Sequence, residues 1–273
     1  VNRNRVVLIA LVAAVALAGC GGLGGDSGTP TETPANGSNA TTDWPDTTTA
    51  TDGPYDLPLN GSEIRDRHRT VLDDGTFSYR QNAVVRAAGS GAVREYTNLS
   101  AQVDRTTGEY RYFQNVTRTN PTAAYVDANG TAYLRERGDG QIAYDRQTGA
   151  SGSTDAYLYP EINRYLRGLS YEYEGTERAN GETVHVYAAN GTDGLDPDAH
   201  GLTALDSASL TELSAELRVA EDGSIRTFRY DVTGTNPQGS RVRYVVAVEY
   251  AGVGSTAVSE PSWLDEAKNV TGE

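Results

Sequence analysis

Few residues of this chain carry side chains that can do chemistry, and they do not converge. The histidines are His68, His185 and His200. No two stand at the i, i+4 spacing that sets two imidazoles on one helix face for a metal ion, and none joins a cysteine cluster. Cys20 is the only thiol. No Gly-x-Ser-x-Gly nucleophile elbow and no glycine-rich phosphate loop occurs. Asp193, Asp196 and Asp198 crowd into one short stretch. They lack the further oxygen ligands and the closing Glu of an EF-hand loop, so the stretch reads as a solvated acidic loop. Seventeen tyrosines stand against three phenylalanines. A phenol favours strands and covers amphipathic surface, which is the preferred reading; a row of them could also line a glycan- or amphiphile-binding face. Without convergent catalytic groups the chain reads as non-enzymatic, with no cofactor and no metal.

Cys20 is placed by the segment before it. Arg3 and Arg5 are followed by an apolar run, Val6 to Ala18, and by Gly19. A basic start, a short apolar core and small residues at the cut are the layout of a secretory signal. The run is too short for a membrane span, which needs about 20 residues. Arg3 and Arg5 are separated by Asn4, so there is no twin-arginine pair, which favours the general secretory route. Val1 reads as a non-ATG start codon translated literally. Leu17-Ala18-Gly19-Cys20 resembles the lipobox of exported lipoproteins. The resemblance implies cleavage after Gly19, a lipid on Cys20, and tethering to the outer face of the cytoplasmic membrane. It also removes the only thiol as a nucleophile. One acyl chain anchors only marginally, so two chains or a second signal are expected.

The chain has 37 acidic and 23 basic residues, a formal net charge of −14. Loss of residues 1–19 removes two arginines and no acid, taking the charge to −16. Lys268 is the sole lysine. Acid excess with arginine in place of lysine resembles proteins of extremely salt-loving archaea; a GC-rich bacterial genome also favours arginine over lysine. In molar salt the Debye length is about 3 Å, which screens the self-repulsion of such a surface. The same charge excludes nucleic acid as a partner, because no basic patch is present to neutralise phosphates. Eight Asn-x-Ser/Thr sequons are present. Asn36, Asn39, Asn129 and Asn190 are the most accessible candidates for glycosylation, the first two in a flexible stalk and the others beside glycine in turns.

Residues 20–58 read as the lipidated cysteine and a polar linker, too poor in apolar residues to bury a core. Residues 59–268 read as one domain and 269–273 as a tail. A helix is expected over 61–73, with Asn60 as cap, Glu63 as its reciprocal partner, and Ile64, His68, Val71 and Leu72 on one face. Alternating strands follow, with hairpin turns at Asn129-Gly130, Asp139-Gly140, Asn180-Gly181 and Asp222-Gly223. A helical insert is expected near 154–167, a final meander over 213–250, and a short helix after Pro261. The expected class is α+β, mostly β: a curled antiparallel sheet of about eleven strands, a half-barrel, with a leading helix, a mid-chain insert and a C-terminal helix. Curling is the usual outcome for so many strands.

A lipobox cysteine, a polar stalk, then helix, long meander, helical insert and second meander resembles the half-barrel lipoproteins of the periplasmic lipoprotein-carrier superfamily and their mycobacterial lipid-binding relatives. It is also similar to uncharacterised lipoproteins of haloarchaea. The resemblance implies a concave face that holds an acyl chain or lipid-like molecule, with Val85, Val93, Leu99, Leu217, Phe228, Tyr230, Val246 and Val248 as lining. Taken singly, each of those residues reads first as packed core, because most inward strand positions are core. The expected function is a lipid-anchored surface protein holding an apolar or amphipathic ligand, which requires a ligand-sized pocket in the concavity; a filled interior argues against it. The alternative is a cell-envelope interaction module that contacts an envelope protein and holds no small molecule.

Overall fold

The computed structural model describes residues 53–149, 154–158, 162–193, 195, 200, 210–236 and 238–272. The signal segment, Cys20, Asn36, Asn39, Asp196 and Asp198 lie outside them. Packing begins before residue 59. Tyr55 is buried, its hydroxyl donates to the Gly223 carbonyl (2.6 Å), and its N–H donates to the Tyr187 hydroxyl (3.0 Å).

Helix α1 spans Gly61–Leu72. The Asn60 side chain accepts from the N–H groups of Ser62 (3.0 Å) and Glu63 (3.3 Å), which satisfies donors left free at a helix start. Ile64, His68 and Leu72 form its buried face. The first meander is β1 (Thr76–Ala87), β2 (Val93–Asp104), β3 (Tyr110–Val116), β4 (Thr122–Val126), β5 (Thr131–Gly138) and β6 (Gln141–Thr148). The expected insert is two short pieces, a 3-10 turn (Thr154–Leu158) and α2 (Ile162–Leu166). The second meander is β7 (Glu172–Ala179), β8 (Glu182–Asn190), β9 (Glu212–Ala220), β10 (Ile225–Thr235) and β11 (Arg241–Ala251), followed by α3 (Leu264–Thr271).

All eleven strands form one antiparallel sheet in the order β6-β5-β4-β3-β2-β1-β11-β10-β9-β8-β7. The architecture is α+β with β dominant, an open sheet curled into a half-barrel. Its middle is the long pairing of β1 with β11, Ser78 opposite Ala251 through Ala87 opposite Val242. The first and last strands of the domain therefore meet at the centre, and each meander runs outward to an edge. The β5–β6 and β7–β8 turns carry Asp139-Gly140 (φ 51°, 74°) and Asn180-Gly181 (φ 52°, 86°). Two consecutive left-handed residues give the turn whose twist matches paired strands, as their sequences predict. At Asn129-Gly130 only the glycine is left-handed (φ 75°). There the Asp127 carboxylate accepts from the N–H groups of Asn129 (2.9 Å) and Thr131 (2.8 Å), closing a wider turn.

The two faces of the sheet are covered differently. On the inner face, α1, the 3-10 turn and α2 pack over the main core, which runs from Phe77 and Tyr79 through Leu217 and Phe228 to Val248 and Tyr250. On the outer face, Leu264 and Ala267 of α3 pack on Tyr125 and Tyr133, with Trp263 and Tyr144 against them. Inward positions on β9 and β11 are apolar and buried in alternation, while β10 slips register between Ile225 and Thr227 and is buried on both faces from Tyr230 to Gly234.

Candidate functional site

Antiparallel register places the lining residues inferred from the sequence beside one another. Leu217, Phe228, Val248, Gln81 and Leu99 are successive cross-strand partners from β9 to β2. Tyr230 and Val246 form part of the next row. Leu99, Leu217, Phe228, Tyr230, Val246 and Val248 are all buried in the main core, and Val85 is partly buried against it. Val93 is a correction: it is 49% exposed. The register slips between Val85 and Arg86, so that Val85 faces Glu95 while Arg86 faces Val93. A bulge of one residue moves a side chain to the other face of a sheet, and Val93 joins Arg86 there.

Tyrosine dominates what the inner face presents. Tyr157 of the 3-10 turn packs its ring against Tyr79 (centroids 6.1 Å) and Tyr110 (5.7 Å). Tyr165 of α2 packs against Phe228 (5.8 Å) and Tyr230 (5.0 Å). Gln81 is a buried polar residue in the middle of the apolar row and accepts from the Tyr79 hydroxyl (2.7 Å). It is the residue that sequence reasoning missed, although it holds an inward position between Tyr79 and Ala83. The buried polar atoms on this side without a hydrogen-bond partner include the hydroxyls of Tyr157 and Tyr171 and Nε2 of His68. Burial holds the Tyr157 phenol well above its ordinary range, with Tyr110, Tyr112 and Tyr79 adding to the effect, and pushes Tyr112 up to about 12. These hydroxyls stay protonated and act as donors.

Each histidine has its own partners. His68 is fully buried, accepts at Nδ1 from the Ile225 N–H (3.1 Å), and meets the Tyr250 ring edge-on (4.4 Å). Burial lowers its pKa to about 3, helped by Arg226. His185 bonds the Tyr173 hydroxyl through Nδ1 (2.9 Å). His200 donates from Nε2 to the Arg167 carbonyl (2.6 Å), which leaves Nδ1 of the neutral ring to accept from the Tyr230 hydroxyl (3.1 Å). Among the described residues, none of the three is bonded to both a nucleophile and a carboxylate as a catalytic base would be. Asp193 is exposed, as are the sequons Asn129 and Asn190.

Cavities walled by described residues include two that open on the outer face. One, of about 310 Å³, lies over β1–β5 beside the segment that leads into α3. The other, of about 730 Å³, is reached between the β7–β8 turn and the end of β11. The described inner face is occupied by rings and helices.

The fold and its tyrosine-filled inner face define an open half-barrel. The chain belongs to a family of unknown function, DUF7537, whose model matches residues 5–267. No curated protein matches it. Similar solved structures include LprF from Mycobacterium bovis, at 11% identity over 74% of this chain and 96% of that one, with a TM-score of 0.35. Another is the Mycobacterium tuberculosis lipoprotein LppX, at 12% over 74% and 100%, TM-score 0.30. A third is a DUF1329 family protein from Desulfovibrio piger, at 6% over 74% and 95%, TM-score 0.25.

Proposed function

We propose that this protein is exported, anchored at the outer face of the cytoplasmic membrane through a lipid on Cys20, and holds an amphipathic molecule against the inner face of its half-barrel without transforming it. The observation that carries the ligand is the set of orphaned polar atoms there: Tyr157 and Tyr171 hydroxyls and His68 Nε2. An unpartnered buried donor costs about 1–3 kcal/mol, and most native proteins avoid it. A ligand with a few polar atoms on an apolar body offsets that cost. The anchor is supported by the layout of residues 3–20 and by the extent of the family match, which takes in the apolar run and Cys20.

The test is native mass spectrometry of the full chain purified from its own host in high salt, before and after solvent extraction. A stoichiometric amphipathic molecule that leaves with the solvent is expected. Tyr157→Phe and Tyr171→Phe should lose that molecule while leaving the unfolding midpoint of the free protein unchanged or higher, since each removes an unsatisfied hydroxyl. A clean apoprotein mass overturns the ligand. One observation favours the alternative, an envelope module that contacts other proteins: ring-to-ring contacts close the described inner face.

A further inference from the structure

The smaller outer cavity has a composition at odds with the rest of the molecule. The chain carries 37 acids against 23 bases, yet the walls of this cavity include Arg80, Arg111 and Arg135 and no carboxylate. The three arginines come from alternate strands, β1, β3 and β5. Between them, Ser100 on β2 and Ala123 on β4 are small, and register sets Arg80, Ser100, Phe113, Ala123 and Arg135 in a single row. Adjacent strands lie about 4.8 Å apart, so long side chains two strands apart lean over the small residues between them. The result is a trough with cations on its sides and a floor of Ser100 and Ala123.

Arg135 also meets the Tyr144 hydroxyl, but the charge of the three cations is left unmatched. Elsewhere arginines are engaged by acids, as in Arg105 with Asp73 and Asp155, Arg226 with Glu182, and Arg243 with Asp231. Among the described residues none of Arg80, Arg111 and Arg135 has a carboxylate within ion-pair distance. Glu249 stands opposite Arg80 in register without pairing with it. Arg111 uses one amine to donate to the Ser259 carbonyl (3.1 Å), which fixes the segment before α3 as the far wall. Nε of Arg135 and Oε1 of Gln102 are buried in the wall and have no partner. Such groups are costly unless something met in the groove satisfies them. Flat apolar surface completes the site: Trp263, set against Tyr144 (centroids 6.2 Å), and Phe113, which is 46% exposed.

We infer that this groove is a second binding site, for an acidic sugar. Planar guanidinium groups on its sides match a carboxylate bidentately. Ser100 and Gln102 supply the hydrogen bonds that sugar hydroxyls need. The Trp263 and Phe113 rings present negative π faces to the C–H face of a pyranose. A cavity of about 310 Å³ sits at the lower end of the range for small-molecule sites and suits one or two sugar rings. The neighbouring cavity lacks this character, because its Arg218 and Arg226 are neutralised by Glu216 and Glu182.

The experiment reads Trp263 emission in the full chain carrying Trp44→Phe, which leaves one indole, titrated at constant ionic strength. The probes are a glucuronate-containing disaccharide, the matching neutral glucose disaccharide, and sulfate. A saturable change with the acidic disaccharide alone is expected. Arg80→Gln and Arg135→Gln should each weaken it at least tenfold with no change in the thermal unfolding midpoint. No response to the acidic sugar overturns the proposal, as does an equal response to the neutral one. Sulfate binding as tightly as the acidic disaccharide also overturns it, by showing that the sugar body contributes nothing.

Discussion

His68 shows what one buried side chain does to the pH behaviour of the whole domain. Its ring is fully buried, and burial lowers its pKa to about 3 from an unfolded value near 6.5. Above pH 6.5 the ring is neutral in both states and costs nothing. As pH falls below 6.5 the unfolded chain takes up a proton that the folded chain refuses, so stability is lost down to about pH 3, at about 1.4 kcal/mol per pH unit from this group alone. Denaturant unfolding at fixed salt between pH 7 and pH 4 should show that slope. His68→Gln, which keeps an acceptor for the Ile225 N–H, should flatten it; an unchanged slope would assign it to carboxylates instead. At the same scale, Phe228 is fully buried in the inner row between Leu217 and Val248. Phe228→Ala should cost about 3–5 kcal/mol, measured by denaturant midpoint.

At the scale of elements, the start of the 3-10 turn over the inner face is tied down by Arg105, while Tyr250 donates to the Tyr157 carbonyl farther along (2.9 Å). Arg105, in the β2–β3 turn, donates from Nε to the Asp73 carbonyl (3.0 Å), and from Nη1 to Thr154 (3.0 Å) and Asp155 (2.9 Å). It also pairs with the Asp73 carboxylate, and thereby ties the end of α1 to the start of the insert. Only the planar fork of arginine reaches all these acceptors at once. Arg105→Lys should therefore behave much like Arg105→Ala. Both should lower stability by about 1–3 kcal/mol and speed hydrogen exchange at 154–158 more than in β9–β11. If exchange rises uniformly, Arg105 stabilises the domain without fixing the insert. The helix, the turns and the alternation of β9 and β11 were legible in the sequence, because capping, left-handed turn residues and period-two burial are local rules. The slip that turns Val93 outward was not, since a bulge depends on how two strands pair and neither strand alone encodes it.

At the scale of the molecule, charge dominates, and the proposed anchor has its own test. With a net charge of −14, dilute buffer leaves the folded surface repelling itself. The unfolding midpoint should rise from 0.1 to 2 M KCl, well beyond the shift of a near-neutral protein of similar size. A flat response would remove the high-salt reading of the composition. Cys20→Ser should release the protein from the membrane fraction into the medium, and retention would mean that another segment holds it.

The amino-acid sequence by itself determined the strand-rich class, the number of strands, and the leading helix and its cap. These follow from residue types and short-range spacing, which act within a few positions along the chain. Tertiary structure alone decided which residues share a surface. It joined β1 to β11 at the centre of the sheet, left Tyr157, Tyr171 and His68 with orphaned polar atoms on the inner face, and set Arg80, Arg111 and Arg135 around one outer groove. Those juxtapositions depend on strand order and register, which arise from long-range pairing across the whole sheet.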